Sequence, residues 1–145
     1  MNIPTQSPVL APKAARHIVV LGGTGFVGRS VCERLVERSG GGNARILVPS
    51  RRPQRAQHLR TLPTVELLQA DVHDEAVLRR LVAGCDAVTN LVAILHGSEA
   101  DFARAHVELP RKLVAACQAA GVRRLVHVSA LGAAVDAPSR YLRSK

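Results

Sequence analysis

The apolar run Ile18-Val19-Val20-Leu21 opens directly onto Gly22-Gly23-Thr24-Gly25-Phe26-Val27-Gly28. The run reads as a buried strand, and the glycines turn it sharply into a helix. Gly22 or Gly23 can take the positive-φ turn, Gly25 leaves bare backbone, and Gly28 lets the helix pack close on the strand. The helix N-terminus then offers unpaired N–H groups and the positive end of its dipole. Strand, turn and helix stand in the order that an anionic pyrophosphate requires. Thr24, Phe26 and Val27 complete the stretch, so all seven residues are candidates for holding a dinucleotide.

The remainder alternates short strands with amphipathic helices. Val27, Val31 and Leu35 recur every four residues and give the first helix one apolar face. Gly40-Gly41-Gly42 ends that helix. Further strands are expected over 45–49, 65–69, 87–92 and 125–128, with a short polar helix over 54–60. Asp74 is placed to cap a helix built on Val77, Leu78, Leu81 and Val82 and closed by Gly84. A long helix is expected over 101–120. Pro110 lies inside it and requires a kink or a fresh start. The alternation implies an α/β fold, a doubly wound parallel sheet with right-handed crossovers. Ligands of such sheets bind beyond the carboxyl ends of the strands.

The chain of 145 residues is about one domain long. Residues 1–15, with three prolines, read as a flexible tail, and 16–145 as the domain. No apolar run approaches the roughly 18 residues of a membrane span. Cys32, Cys85 and Cys117 lie far apart in apolar elements. They read as reduced core thiols of a cytoplasmic protein, with no metal site among them. The net charge of +9 comes almost entirely from arginine. These arginines are dispersed, and Phe26, Phe102 and Tyr141 are the only aromatic residues. That favours solvated helix faces over a nucleic-acid surface.

Three further places carry chemistry. The second strand ends in Ser50-Arg51-Arg52, where an acidic residue would hold a free ribose 2′-hydroxyl. Two guanidiniums suit a 2′-phosphate instead, so NADP(H) is expected ahead of NAD(H). Asp71-Val72 ends the third strand and either fixes an adenine edge or simply turns the chain. Tyr141 and Lys145 stand four apart and share a helix face. A phenol is a poor acid at neutral pH, and a neighbouring ammonium makes it a better one.

These motifs together resemble the short-chain dehydrogenase/reductase superfamily. The carriers are Gly22-x-x-Gly25-x-x-Gly28, Asp71-Val72, Asn90-Leu91-Val92-Ala93 and Tyr141-x-x-x-Lys145. Val-Ser-Ala-Leu-Gly-Ala over 128–133, His106-Val107-Glu108 and Ile94-Leu95 resemble an atypical branch. That branch includes the NADPH-binding accessory subunit of respiratory complex I and its bacterial homologues. The resemblance implies a Rossmann-type domain in which Leu91, Val92 and Ala93 also border the cofactor. It implies Tyr141 as acid/base and Lys145 as the ribose-holding, tuning group. Ser129 stands near the family's serine and either polarises a carbonyl or satisfies strand-end backbone. His106 stands where extended members commonly have asparagine, so that asparagine's role does not carry over. The resemblance also implies an N-terminal fragment, with the sheet incomplete at its C-terminal end. Two functions follow from it. One is an oxidoreductase or epimerase when full length, with the fragment itself inactive. The other is a non-catalytic NADPH-binding subunit with a protein partner in a respiratory-type assembly.

Overall fold

The computed structural model describes residues 16–40 and 42–145. The tail expected over residues 1–15 and the middle glycine of the triplet, Gly41, lie outside them. Five strands form one parallel sheet in the order β3-β2-β1-β4-β5. They are β1 (Arg16–Leu21), β2 (Ala44–Ser50), β3 (Val65–Gln69), β4 (Ala87–Asn90) and β5 (Leu125–His127). The helices are α1 (Phe26–Arg38), α2 (Glu75–Val82), α3 (Glu99–Ala103), α4 (Leu109–Ala119) and α5 (Arg140–Ser144). This is the doubly wound parallel sheet that the alternating pattern implies.

The central strand shows why the sequence winds twice. Side chains of a strand alternate between the two faces of its sheet. Val19 and Leu21 enter one core, with Leu78, Leu81 and Val82 of α2 and Leu109 and Leu113 of α4. Val20 enters the other, with Cys32 of α1, Ala56 and Leu59. All three β1 residues are fully buried, as a strand covered on both faces must be. β1 pairs with β2 on one side and β4 on the other, so the chain reverses its winding between β1 and β4. A crevice therefore opens at the carboxyl ends of these two strands.

Several local expectations hold. The Asp74 carboxylate accepts the Val77 N–H at 3.0 Å and caps α2. Gly40, Gly84 and Gly121 all take left-handed φ beyond helix ends. The three cysteines are buried and free. Burial pushes the Cys32 and Cys85 thiols up to about 11, which makes them poor nucleophiles.

Others are corrected. The polar helix expected over 54–60 is a pair of 3-10 turns, Pro53–Arg55 and Gln57–Leu59. Ala56 leaves helical geometry between them while its side chain and that of Leu59 enter the core. Val27 does not join the apolar face of α1, being 54% exposed. It lies in the first turn, beside the crevice rather than over the sheet, whereas Val31 and Leu35 pack on the core. β4 stops at Asn90 rather than 92, because the Asn90 Oδ1 accepts the Val92 N–H and bends the chain out of the ladder. β5 ends at His127, one residue short of the expected strand. The helix expected over 101–120 starts at Glu99 and contains a π-helical turn, Arg104–Glu108. That wide turn sits just before Pro110, whose ring would otherwise meet the His106 carbonyl.

Adjacent residues of α4 test this packing. Leu113 is 1% exposed and Val114 41% exposed. Leu113→Ala is expected to cost about 2–5 kcal/mol in urea unfolding, because it leaves a cavity. Val114→Ala should stay within about 0.5 kcal/mol of wild type.

Candidate functional site: the crevice beyond β1 and β4

The turn after β1 is built around absent side chains. Gly22 has φ +76°, and a Cβ there would stand 2.9 Å from the Leu91 carbonyl carbon. The loop after β4 thus closes directly on the first glycine. A Cβ on Gly23 would meet the Val48 side chain at 2.8 Å, so this glycine serves packing on β2. A Cβ on Gly28 would lie 2.5 Å from the Gly23 Cα, which is how α1 comes close enough to aim its N-terminus into the crevice.

Gly25 is different. It is the residue before α1, with ordinary extended backbone, and a Cβ there would meet only the Gly22 oxygen at 3.3 Å. Within the chain a side chain here meets one tight backbone contact, so the fold demands glycine less strongly than at Gly22, Gly23 or Gly28. No side chain caps α1 and no acidic residue occupies its first turn. The residues present therefore fit an anion at this helix end.

Gly22, Thr24 and Gly25 line a cleft of about 640 Å³. Its walls continue through Leu91, Val92 and Ala93 after β4 and through Ala70 and Val72 after β3. Ser50, Arg51 and Arg52 line it beyond the end of β2. The Ser50 Oγ accepts the Arg52 N–H at 3.2 Å and shapes that turn. Most of the residues singled out for a cofactor thus meet in one cleft. Gly23, Phe26, Val27, Gly28 and Asp71 do not line it. Asp71 turns the chain instead, its carboxylate accepting the His73 N–H at 3.0 Å.

Two polar lining residues, Arg55 and His73, were not foreseen. Arg55 reaches the cleft from the first 3-10 turn, and His73 from the turn after β3. A third arginine four residues after Arg51 was the available signal for Arg55. His73 had none, because it is brought in by the tertiary fold. Its carbonyl accepts a hydrogen bond from the Lys112 Nζ at 3.1 Å. Burial lowers the His73 pKa, and the Arg104 charge adds to the effect. Among the described residues, no carboxylate lines the cleft. Nor is there a group of three or more His, Cys, Asp or Glu side chains that could hold a metal ion.

Ser129, Tyr141 and Lys145 form a separate constellation. The Ser129 Oγ donates to the Lys145 main-chain oxygen at 3.2 Å, and the Lys145 Nζ donates to the Val128 carbonyl at 2.8 Å. Burial lowers the Lys145 pKa. Tyr141 sits edge-on against His106, with ring centroids 5.6 Å apart. The serine and lysine are thus joined directly, and the tyrosine lies one turn back along α5.

Residues 22–144 match the NAD(P)H-binding family. The chain belongs to that family. Over 131 residues it is 34% identical to NADH dehydrogenase (ubiquinone) 1 alpha subcomplex subunit 9, mitochondrial, of Mus musculus, covering 87% of this chain and 34% of that protein. Over 112 residues it is 35% identical to 4-hydroxy-2-methyl-3-oxo-4-farnesyl-3,4-dihydroquinoline-1-oxide ketoreductase of Stigmatella aurantiaca, covering 76% and 32%. The chain thus spans about a third of the length of these relatives. Among solved structures it is similar to uronate dehydrogenase from Agrobacterium tumefaciens, complexed with NAD, at a TM-score of 0.67 and 25% identity over 83% of this chain and 43% of that one. Pen from Bacillus thuringiensis shares the fold, at a TM-score of 0.77 and 19% identity over 91% of this chain and 44% of that one. This is an NAD(P)-binding Rossmann domain whose relatives include both a complex I subunit and reductases, as the motifs implied. Among the described residues, no helix is long and apolar enough to cross a membrane.

The pKa values of His73, His106 and His127 all lie below the usual value, chiefly through burial. The folded chain therefore binds fewer protons than the unfolded chain as pH falls through the histidine range. Stability is full above the unfolded value of about 6.5 and is lost as pH drops through the folded values. Thermal unfolding should show a Tm that falls between about pH 7 and pH 5. A Tm that rises over that interval would contradict these burials.

Proposed function

We propose that the chain binds NADPH in preference to NADH, and that the full-length protein is an oxidoreductase or epimerase. The observation that carries the cofactor preference is the part of the cleft beyond β2, where Arg51, Arg52 and Arg55 stand with no carboxylate among the described lining residues. An NADH-selective site uses an acidic group there to hold the ribose 2′-hydroxyl. Guanidiniums instead match a 2′-phosphate by charge and by forked donors. In this reading Gly22, Thr24, Gly25 and the start of α1 hold the pyrophosphate. Val72 borders the adenine, and Leu91, Val92 and Ala93 border the nicotinamide half. Gly23 and Gly28 act one step removed, by setting the turn and bringing α1 close. The bound cofactor would supply or accept hydride.

Tyr141 would exchange a proton with the substrate oxygen at its phenol, and Ser129 would donate a hydrogen bond to it. Lys145 would hold ribose and tune Tyr141 once its ammonium leaves the Val128 carbonyl. The likeness to the ketoreductase and the uronate dehydrogenase supports this reading. The likeness to the mitochondrial NADH dehydrogenase subunit supports a second one, a non-catalytic NADPH-binding subunit with a protein partner in a respiratory-type assembly. Three buried, unpaired thiols support a reducing compartment such as the cytoplasm.

Replacing Arg51 and Arg52 together by alanine should weaken NADPH far more than NADH in fluorescence titrations. A charge-assisted hydrogen bond is worth about 1.5–3 kcal/mol, or about 10- to 100-fold in affinity per arginine. Added salt should narrow the NADPH/NADH gap in wild type. An unchanged ratio in the double variant would refute the preference.

The catalytic reading is checked in the full-length protein by Tyr141→Phe. Loss of the proton donor should lower kcat by about 10²–10⁴ while leaving cofactor affinity nearly constant. Full turnover in that variant would remove Tyr141 from the chemistry, whereas absence of turnover in the wild-type protein would favour the subunit reading.

A further inference from the structure

His106 is buried, sits in the π-helical turn and is bonded at both ring nitrogens. Its Nε2 lies 3.0 Å from the Ile94 backbone N, whose N–H donates to it. Nε2 therefore carries no proton, and the ring hydrogen is on Nδ1. From there it donates to the Ser144 Oγ at 2.7 Å. Ser144 in turn donates to the Tyr141 carbonyl at 2.8 Å. The imidazole ring lies 5.6 Å from the Phe102 ring in a tilted pair and 5.6 Å from the Tyr141 ring in a T-shaped pair. One side chain thereby links three segments that are distant in sequence: the loop after β4, the α3–α4 helical rod and α5.

We propose that His106 is a positioning residue that clamps α5, and with it Tyr141, to the cleft-lining loop 91–94. The π turn serves this clamp, because it widens the backbone where the imidazole must reach two segments at once. The clamp is a single-proton device. A doubly protonated ring has a donor at both nitrogens, so it keeps the Ser144 bond and loses the Ile94 bond. The groups facing it are Lys145 and Tyr141 on α5 and His127 on β5, while α3 presents the apolar Phe102. Burial first, then Lys145 and His127, hold its pKa below the usual histidine value. The clamp is therefore closed at neutral pH and opens on its loop side in acid. Opening frees Ile94, next to the Leu91, Val92 and Ala93 walls of the cleft.

The functional consequence rests on the cofactor and Tyr141 readings above. The clamp itself is tested without cofactor or turnover, so the two stand or fall separately. Tyr141 is the single tyrosine and tryptophan is absent, so tyrosine emission reports on α5 alone. Amide exchange by NMR reports on Ile94. In wild type, Ile94 protection should be lost relative to its neighbours as pH falls below the ordinary histidine value of about 6.5. His106→Gln carries one acceptor and one donor and does not titrate. It should keep Ile94 protected throughout, without the acid loss. Ser144→Ala cuts only the other arm. It should leave Ile94 protected and make Tyr141 more accessible to acrylamide quenching at neutral pH. Ile94 protection that does not change with pH in wild type would overturn the proposal. So would the same acid loss in His106→Gln, or Tyr141 quenching in Ser144→Ala equal to that of wild type.

Discussion

The close approach of α1 to the end of β1 is the constraint from which the rest of the site follows. A helix cannot point its N-terminus into a crevice unless its first turn lies against the strand it follows. Here that contact is backbone on backbone, with the Gly28 position hard against Gly22 and Gly23. Any side chain at Gly28 would push α1 outward and withdraw its N–H groups from the crevice. The same turn receives the Leu91 backbone from the other side, against Gly22. The two halves of the crevice, from β1 and from β4, are thus set by steric exclusion at two glycines. Dipole and hydrogen bonds act only after that packing has aimed them.

Charge then divides the crevice. The α1 end offers backbone groups and a fixed partial charge, with no acidic residue in the first turn. The part beyond β2 offers three arginines on a short, irregular segment that Ala56 and Leu59 anchor in the core. In the proposed reading the pyrophosphate lies at the glycine turn, the 2′-phosphate among the arginines and the nicotinamide half along Leu91 and Val92. The groups proposed for catalysis stand apart from this charge. Tyr141 lies on α5, linked through Ser144 and His106 to the loop after β4.

Much of this was legible in the sequence, for identifiable reasons. The glycine spacing reports backbone geometry directly, because no other residue fits at Gly22 or Gly28. The fully buried β1 reads as an apolar run, and the α2 cap reads from Asp74. What was not legible depends on contacts between distant segments. Asn90 shortens β4 by bonding across to His127 at 3.1 Å and back to Val92, which no strand pattern reveals. Pro110 announced a disturbance, but the form it takes, a π turn around His106, depends on Ile94 and Ser144. The stripe of α1 failed at Val27 because periodicity does not say where the sheet beneath a helix stops. Arg55 and His73 enter the cleft by the same kind of tertiary placement.

Gly25 is the position where fold and ligand make separable demands. Its backbone is of a kind that any residue adopts, and a Cβ there touches only the Gly22 oxygen at 3.3 Å. A valine side chain would project where the proposed reading lays the pyrophosphate. Calorimetric titration of wild type and Gly25→Val with NADPH, alongside their circular dichroism, tests this most directly. The account predicts a folded Gly25→Val chain with no measurable NADPH binding. Equal affinity in the two proteins would contradict it.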